Sequence, residues 1–95
     1  MLTRIVKMTF LPENVNDFLA IYHATRKKIA AFKGCRDLAL FHDIKDPAVL
    51  FTLSHWDTEE DLLAYRNSEL FALTWEKVKK MFAAEAEAWS LETAE

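Results

Sequence analysis

From Leu2 to Phe10 the side chains alternate: Leu2, Val6, Met8 and Phe10 share one side, while Thr3, Ile5, Lys7 and Thr9 share the other. A period of two predicts a strand. Leu11-Pro12 ends it, because proline brings no donor to a sheet ladder. The period then changes. Val15, Phe18, Leu19, Tyr22, Ile29 and Phe32 fall on one stripe, which predicts a helix from Glu13 or Asn14 to about Phe32. Gly34 follows as a C-terminal cap suited to positive φ. Residues 35–44 and 48–57 read as a hairpin around Lys45-Asp46-Pro47. Its second arm is apolar on both faces, with Val49, Phe51 and Leu53 on one and Ala48, Leu50 and Trp56 on the other. A strand covered on one side only alternates more cleanly. Asp57 or Thr58, with Glu60 or Asp61 three residues on, opens a short helix by a capping-box pattern. Asn67-Ser68 repeats the signal and opens a helical stretch through about Phe82, striped by Phe71, Trp75, Val78 and Phe82. Ala84 to Leu91 alternates small with large residues and is read as a last strand, although alanine and glutamate also favour helix.

The resulting order is β-α-β-β-α-β with the second helix broken in two, an α+β, ferredoxin-like arrangement forming one domain over 1–95. Right-handed crossovers put both helices on the same side of a four-stranded antiparallel sheet. The other face is bare unless something covers it. Because the 48–57 strand is apolar on both faces, a second copy packed sheet to sheet is expected, giving a homodimer.

Composition narrows the chemistry. Of the 95 residues 52% are hydrophobic and 13% aromatic, which excludes disorder and exceeds what one core beside a solvated sheet face needs. The surplus is assigned to the dimer interface and an aromatic pocket. A single glycine excludes a glycine-rich phosphate loop, and a single cysteine excludes an internal disulfide or four-cysteine zinc site. No run approaches the roughly 18 apolar residues of a membrane span, and no signal-peptide pattern opens the chain, so a cytoplasmic protein is expected. The net charge is −3, and Arg26, Lys27, Lys28, Lys33, Lys77, Lys79 and Lys80 sit where they offset the negative ends of predicted helices. That placement does not suggest a nucleic-acid face.

With the elements placed, the run Phe51-Thr52-Leu53-Ser54-His55-Trp56, then Asp57-Thr58-Glu59-Glu60-Asp61-Leu62, then Tyr65-Arg66-Asn67-Ser68-Glu69-Leu70-Phe71 resembles the antibiotic biosynthesis monooxygenase (ABM) domain family. The likeness extends to Pro12 after the first strand, to Gly34-Cys35, and to Trp89-Ser90-Leu91. It implies a dimeric α+β barrel. The family includes quinol and polyketide oxygenases that use no metal or organic cofactor, haem-degrading enzymes, and members without known activity. Similarity to the cofactor-free members implies a dry aromatic pocket between helices and sheet. Trp56, Tyr65, Phe71 and Trp75 would line it as substrate-binding residues, with Val6 and Met8 below. The haem-degrading branch uses an asparagine, a tryptophan and an iron-ligating histidine where this chain has Val6, Tyr65 and Trp75. Haem chemistry is therefore not expected.

Two residues are candidates for catalysis. His55 could act as a base near neutral pH, but it points away from Trp56 by strand alternation, which makes an interface role the alternative. Tyr65, with Arg66, could hold a phenolate; the plainer reading leaves both at the solvent boundary. Glu85 and Glu87 fall on one face of the last strand, either as an acid–base pair or as charges protecting an edge. Cys35 reads as a small buried residue with only Arg36 nearby to favour a thiolate. His42 faces about residue 50, so His55 lies on the order of 15 Å away along the strand, and no metal site is expected. Three functions stay open: an oxygenase of a hydroxylated aromatic, a binder of such a molecule, and a structural domain whose pocket its own side chains fill.

Overall fold

The computed structural model describes residues 1–95. Four strands, β1 (Leu2–Thr9), β2 (Cys35–His42), β3 (Val49–Trp56) and β4 (Glu87–Leu91), alternate with three helices, α1 (Val15–Ala30), α2 (Glu59–Arg66) and α3 (Glu69–Val78). The sheet is antiparallel throughout, in the order β2-β3-β1-β4. This is the expected α+β, ferredoxin-like arrangement.

Register decides which side chains meet. β1 and β3 pair from Leu2 opposite Trp56 to Thr9 opposite Val49. On one face this places Met8 beside Leu50 and Arg4 beside Ser54. That face carries the core, where Met8, Phe10, Phe18, Tyr22, Leu50 and Val78 pack as one buried cluster. Trp56 is 1% exposed, and its indole Nε1 donates to Ser54 Oγ at 3.0 Å, so the one buried polar side chain on this face is satisfied. The opposite face pairs Ile5 with Leu53 and with Trp89, and Phe41 with Phe51. Phe41 is 53% exposed, Trp89 43% and Leu91 46%, so the sheet has a second, uncovered apolar face.

Local signals explain the helices. Pro12 opens a three-residue 3-10 turn, Pro12–Asn14, before α1 begins at Val15, which the helical stripe alone does not reveal. Thr58 caps α2 by accepting from the Asp61 amide at 3.1 Å. Ser68 separates α2 from α3: its hydroxyl accepts from the Phe71 amide at 3.1 Å and donates to the Tyr65 carbonyl at 2.6 Å. The break expected at Asn67-Ser68 is therefore a corner fixed by hydrogen bonds.

The last strand is shorter than its alternation suggests. Phe82 bridges to Phe10, and the Ala83 amide donates to the Thr9 carbonyl at 2.8 Å. Pairing resumes only at Glu87 opposite Lys7, two residues later than that bridge would set it, so the chain bulges outward between them. Glu85 lies in the bulge and not on a shared strand face with Glu87. Glu87 instead pairs with Lys7 at 3.8 Å on the edge strand.

Gly34 adopts φ +84°, and a Cβ there would run into the Asp61 side chain. Its carbonyl accepts from the Asp57 amide at 2.8 Å, tying the end of α1 to the end of β3. Gly34→Ala should lower stability by about 1–3 kcal/mol in urea unfolding, from backbone strain plus displacement of Asp61. An unchanged midpoint would show that this corner carries no strain.

Candidate functional site

Between the helices and the inner face of the sheet lies a cavity of about 350 Å³, at the small end of the range for small-molecule sites. The sheet supplies its floor through Arg4, Val6 and Met8 of β1, Thr52, Ser54 and Trp56 of β3, and Ala86 and Ala88 near β4. The helices supply its roof through Tyr22 and Ile29 of α1, Tyr65 and Arg66 of α2, and Phe71, Trp75 and Val78 of α3. All six residues expected to line a pocket, Val6, Met8, Trp56, Tyr65, Phe71 and Trp75, border this one cavity. The small Ala86 and Ala88 leave it room. The side chains present do not close it.

Aromatic contacts stiffen its wall. Tyr65 stacks on Trp56 with ring centroids 5.3 Å apart and an angle of 22°. Phe71 and Phe32 each meet Tyr65 edge-on, at 5.3 and 5.1 Å. Trp75 stacks on Phe71 at 5.7 Å and 9°, then meets Phe82 edge-on. Offset and edge-to-face geometries are the favoured ones, each contributing about 0.5–1.5 kcal/mol beyond area burial. Rings locked in this way present flat faces without having to reorganise around a ligand.

Burial, with a smaller contribution from Cys35, pushes the Tyr65 hydroxyl up to about 12. At neutral pH Tyr65 keeps its proton and can only donate or accept a hydrogen bond; it is not a base. No histidine, aspartate or glutamate lines the cavity. Its only charged groups are Arg4 and Arg66. Arg4 Nη1 donates to Ser90 Oγ at 2.9 Å. Burial and then the charge of Arg66 hold the Arg4 guanidinium below its usual value, yet an arginine remains cationic at any physiological pH.

The structure does not bring His55 to this site. It lies on the opposite sheet face from Trp56, with Nδ1 2.6 Å from Asp37 Oδ1. Strand alternation, which already directs His55 away from Trp56 in the sequence, is the reason, and His55 is not among the residues that line the cavity. His23 sits exposed on α1 and His42 opposite Leu50 on β2. No group of three or more His, Cys, Asp and Glu side chains could hold a metal ion. Cys35 is half-buried, and burial followed by Asp37 raises its thiol, so it does not favour a thiolate. The residue that sequence reasoning missed is Arg4. Its parity with Val6 and Met8 was the available signal, but a charge amid an apolar alternation reads as an outward-facing exception.

Fold and site together define the class. A model of the family described as antibiotic biosynthesis monooxygenase matches residues 1–77, and the chain belongs to that family. The 18 residues beyond the match hold β4 and the Ala86 and Ala88 part of the cavity floor. Solved structures share the fold over its whole length. A crystal structure of an antibiotic biosynthesis monooxygenase matches with a TM-score of 0.93 at 20% identity, covering 100% of both chains. A conserved protein from Methanosarcina mazei Go1 reaches 0.90 at 22% identity, over 96% of this chain and 91% of that one. A protein from Mycobacterium tuberculosis reaches 0.90 at 16% identity, over 99% and 95%. At such identities the likeness is one of fold. No curated protein matches the chain in sequence. No helix is long and apolar enough to cross a membrane.

The raised Tyr65 pKa gives a signed expectation. The unfolded chain releases this proton near 10 and the folded one near 12, so stability should fall as pH rises between those values. A difference titration of phenolate absorbance, wild type minus Tyr65→Phe, should centre near 12. A centre near 10 would mean that the Tyr65 hydroxyl is freely solvated.

Proposed function

We propose that the protein is a cofactor-independent monooxygenase that oxidises a small hydroxylated aromatic in the cavity between sheet and helices. The observation that carries this reading is an open aromatic-walled cavity of about 350 Å³ whose lining includes Arg4, Ser54, Tyr65 and Arg66, in a chain of the monooxygenase family. A structural domain has no need to keep such a space open. The binder reading shares the cavity and differs only in turnover.

A hydroquinone can supply every electron that dioxygen requires. One oxygen atom enters the ring, the ring is oxidised to a hydroxyquinone, and the second oxygen leaves as water with the two hydrogens removed. One hydroquinone and one dioxygen give one hydroxyquinone and one water, with no outside reductant. The reaction begins when the deprotonated ring passes an electron to dioxygen. The protein's part is to hold the ring against the aromatic wall of the cavity, exclude bulk water, and steady the developing anion. Tyr65 is the donor suited to the last task, because it keeps its proton well above neutral pH. No side chain in the cavity can take the substrate's proton, so the proton leaves to water at the mouth. The rate then follows the acidity of the substrate itself.

The unit expected to do this is a homodimer. Proteins of this fold family are commonly dimeric, and here Ile5, Phe41, Phe51, Leu53, Trp89 and Leu91 form an uncovered apolar sheet face. A second copy laid on it would bury these residues together with His55. A cytoplasmic setting accords with the one cysteine, which is free.

Purified protein with a panel of hydroquinones, without added metal or flavin, should take up dioxygen faster than the substrates autoxidise. Turnover should rise with pH through the substrate's pKa and show no step near 6.5. Tyr65→Phe should lose about tenfold to a hundredfold in kcat/KM, the range for a hydrogen bond to a charged group. Uptake no faster than autoxidation would leave a binder. Sedimentation should give about twice the 11.0 kDa chain mass, and Leu53→Asp should shift it toward the monomer. A wild-type monomer at micromolar concentration would contradict the interface.

A further inference from the structure

Arg4 and Arg66 are unusual among the charges of this protein. Its ion pairs are Lys7 with Glu87 and Arg36 with Asp57, His55 Nδ1 lies against Asp37, and neither cavity arginine has an acidic partner of this kind. Both border the cavity, where no acidic side chain offsets them. They lie close enough that the Arg66 charge acts on Arg4. Two like charges border one largely apolar space, and Arg4 is partly withdrawn from water there. An anion between them would offset both charges.

Their placement gives the ligand a direction. Arg4 is half-buried in the floor, flanked across the strands by Ser54 and Ser90, while Arg66 is exposed at the last turn of α2. The Arg4–Ser90 hydrogen bond spends one guanidinium donor and fixes the side chain, leaving four N–H groups for a ligand. Met8 lies four residues along β1, roughly 13 Å away at the usual rise, where it packs with Phe18, Tyr22 and Val78 and no charged group lines the cavity. The cavity thus has a cationic end and an uncharged, largely apolar end. Guanidinium groups match the two oxygens of a carboxylate in a fork geometry that a single phenolate oxygen cannot use fully.

We propose that Arg4 and Arg66 form a carboxylate-binding subsite, so that the molecule taken by the cavity is an aromatic acid, its carboxylate at the arginine end and its ring against Trp56, Phe71 and Trp75. This rests on the cavity being a ligand site, and it narrows that site from hydroxylated aromatics in general to those carrying an acid group. Tyr65, one residue before Arg66, stays free to meet a ring hydroxyl.

Binding of three related probes to the full chain separates the possibilities: 6-hydroxy-2-naphthoate, its methyl ester, and 2-naphthol, each followed by calorimetry at low and at 0.5 M salt. The acid should bind at least tenfold more tightly than the ester or the naphthol, with the preference shrinking in salt. Arg4→Gln together with Arg66→Gln should abolish the preference, bringing acid affinity down to that of the ester. Arg66→Gln alone, at an exposed position where folding is not at stake, should lower acid affinity severalfold. Equal binding of acid and ester, or a preference that survives the double substitution, would overturn the carboxylate subsite and leave the cavity as a ligand site. Binding of none of the three would overturn both.

Discussion

Pairing of β1 with β3, from Leu2 opposite Trp56 to Thr9 opposite Val49, is the constraint on which the rest of the molecule depends. These are the two inner strands, and both carry apolar side chains on both faces. Because side chains alternate with a period of two, a slip of one residue would exchange every inward group for an outward one. Arg4, Val6 and Met8 would leave the cavity, and Lys7 would enter it. The pairing is held by features that do not survive such a slip: the Trp56–Ser54 hydrogen bond, the Met8–Leu50 contact in the core, and the Phe10–Phe82 bridge that brings the last segment back to the sheet. Trp56 is the point where fold and site meet. It is sealed on the sheet side and stacked on Tyr65 on the cavity side, and its removal would cost about 3–5 kcal/mol as well as one wall of the site.

From that register follows a division of work between the two sheet faces. One face and the helices enclose a cavity with rigid rings, two cations and no base. The other presents an apolar surface with a His55–Asp37 pair at one end. The chemistry open to such a cavity is limited in an informative way. It can hold an anion and keep water away, but no side chain in it can collect a proton near neutral pH. A reaction there must draw its reactivity from the substrate, which is what oxidation of an electron-rich aromatic by dioxygen allows.

Much of this was legible in the sequence, because it is set by local rules. Alternation on β1 and β3 gave the two faces and, with them, the outward direction of His55. Proline, glycine and the capping residues Thr58 and Ser68 marked the ends of the elements. The six pocket-lining residues followed from a family resemblance and not from spacing. What escaped depends on distant pairings. The bulge before β4 exists because Phe82 bridges to Phe10, which nothing around Ala84 encodes. Arg4 and Arg66 each look ordinary where they stand, a charge on a strand and a cation at a helix end. Only the crossover from β3 through α2 sets them beside one cavity. The cavity itself is a matter of volume left by Ala86 and Ala88, and a pattern of apolar residues does not distinguish a filled core from a hollow one.

The central proposal is that the two faces of one sheet serve separate ends, the cavity on one face taking a ligand and the uncovered apolar surface on the other meeting a second copy. The three tryptophans report on it separately, since Trp56 and Trp75 border the cavity and Trp89 lies on the open face opposite Ile5. The most direct measurement is a nitrogen–proton NMR spectrum of the three indole N–H groups. Adding 6-hydroxy-2-naphthoate should move the Trp56 and Trp75 resonances and leave Trp89 in place, whereas Ile5→Asp should move Trp89 and leave the other two. A ligand that shifts Trp89 alone, or an Ile5 substitution that shifts the cavity pair as strongly as Trp89, would contradict the account.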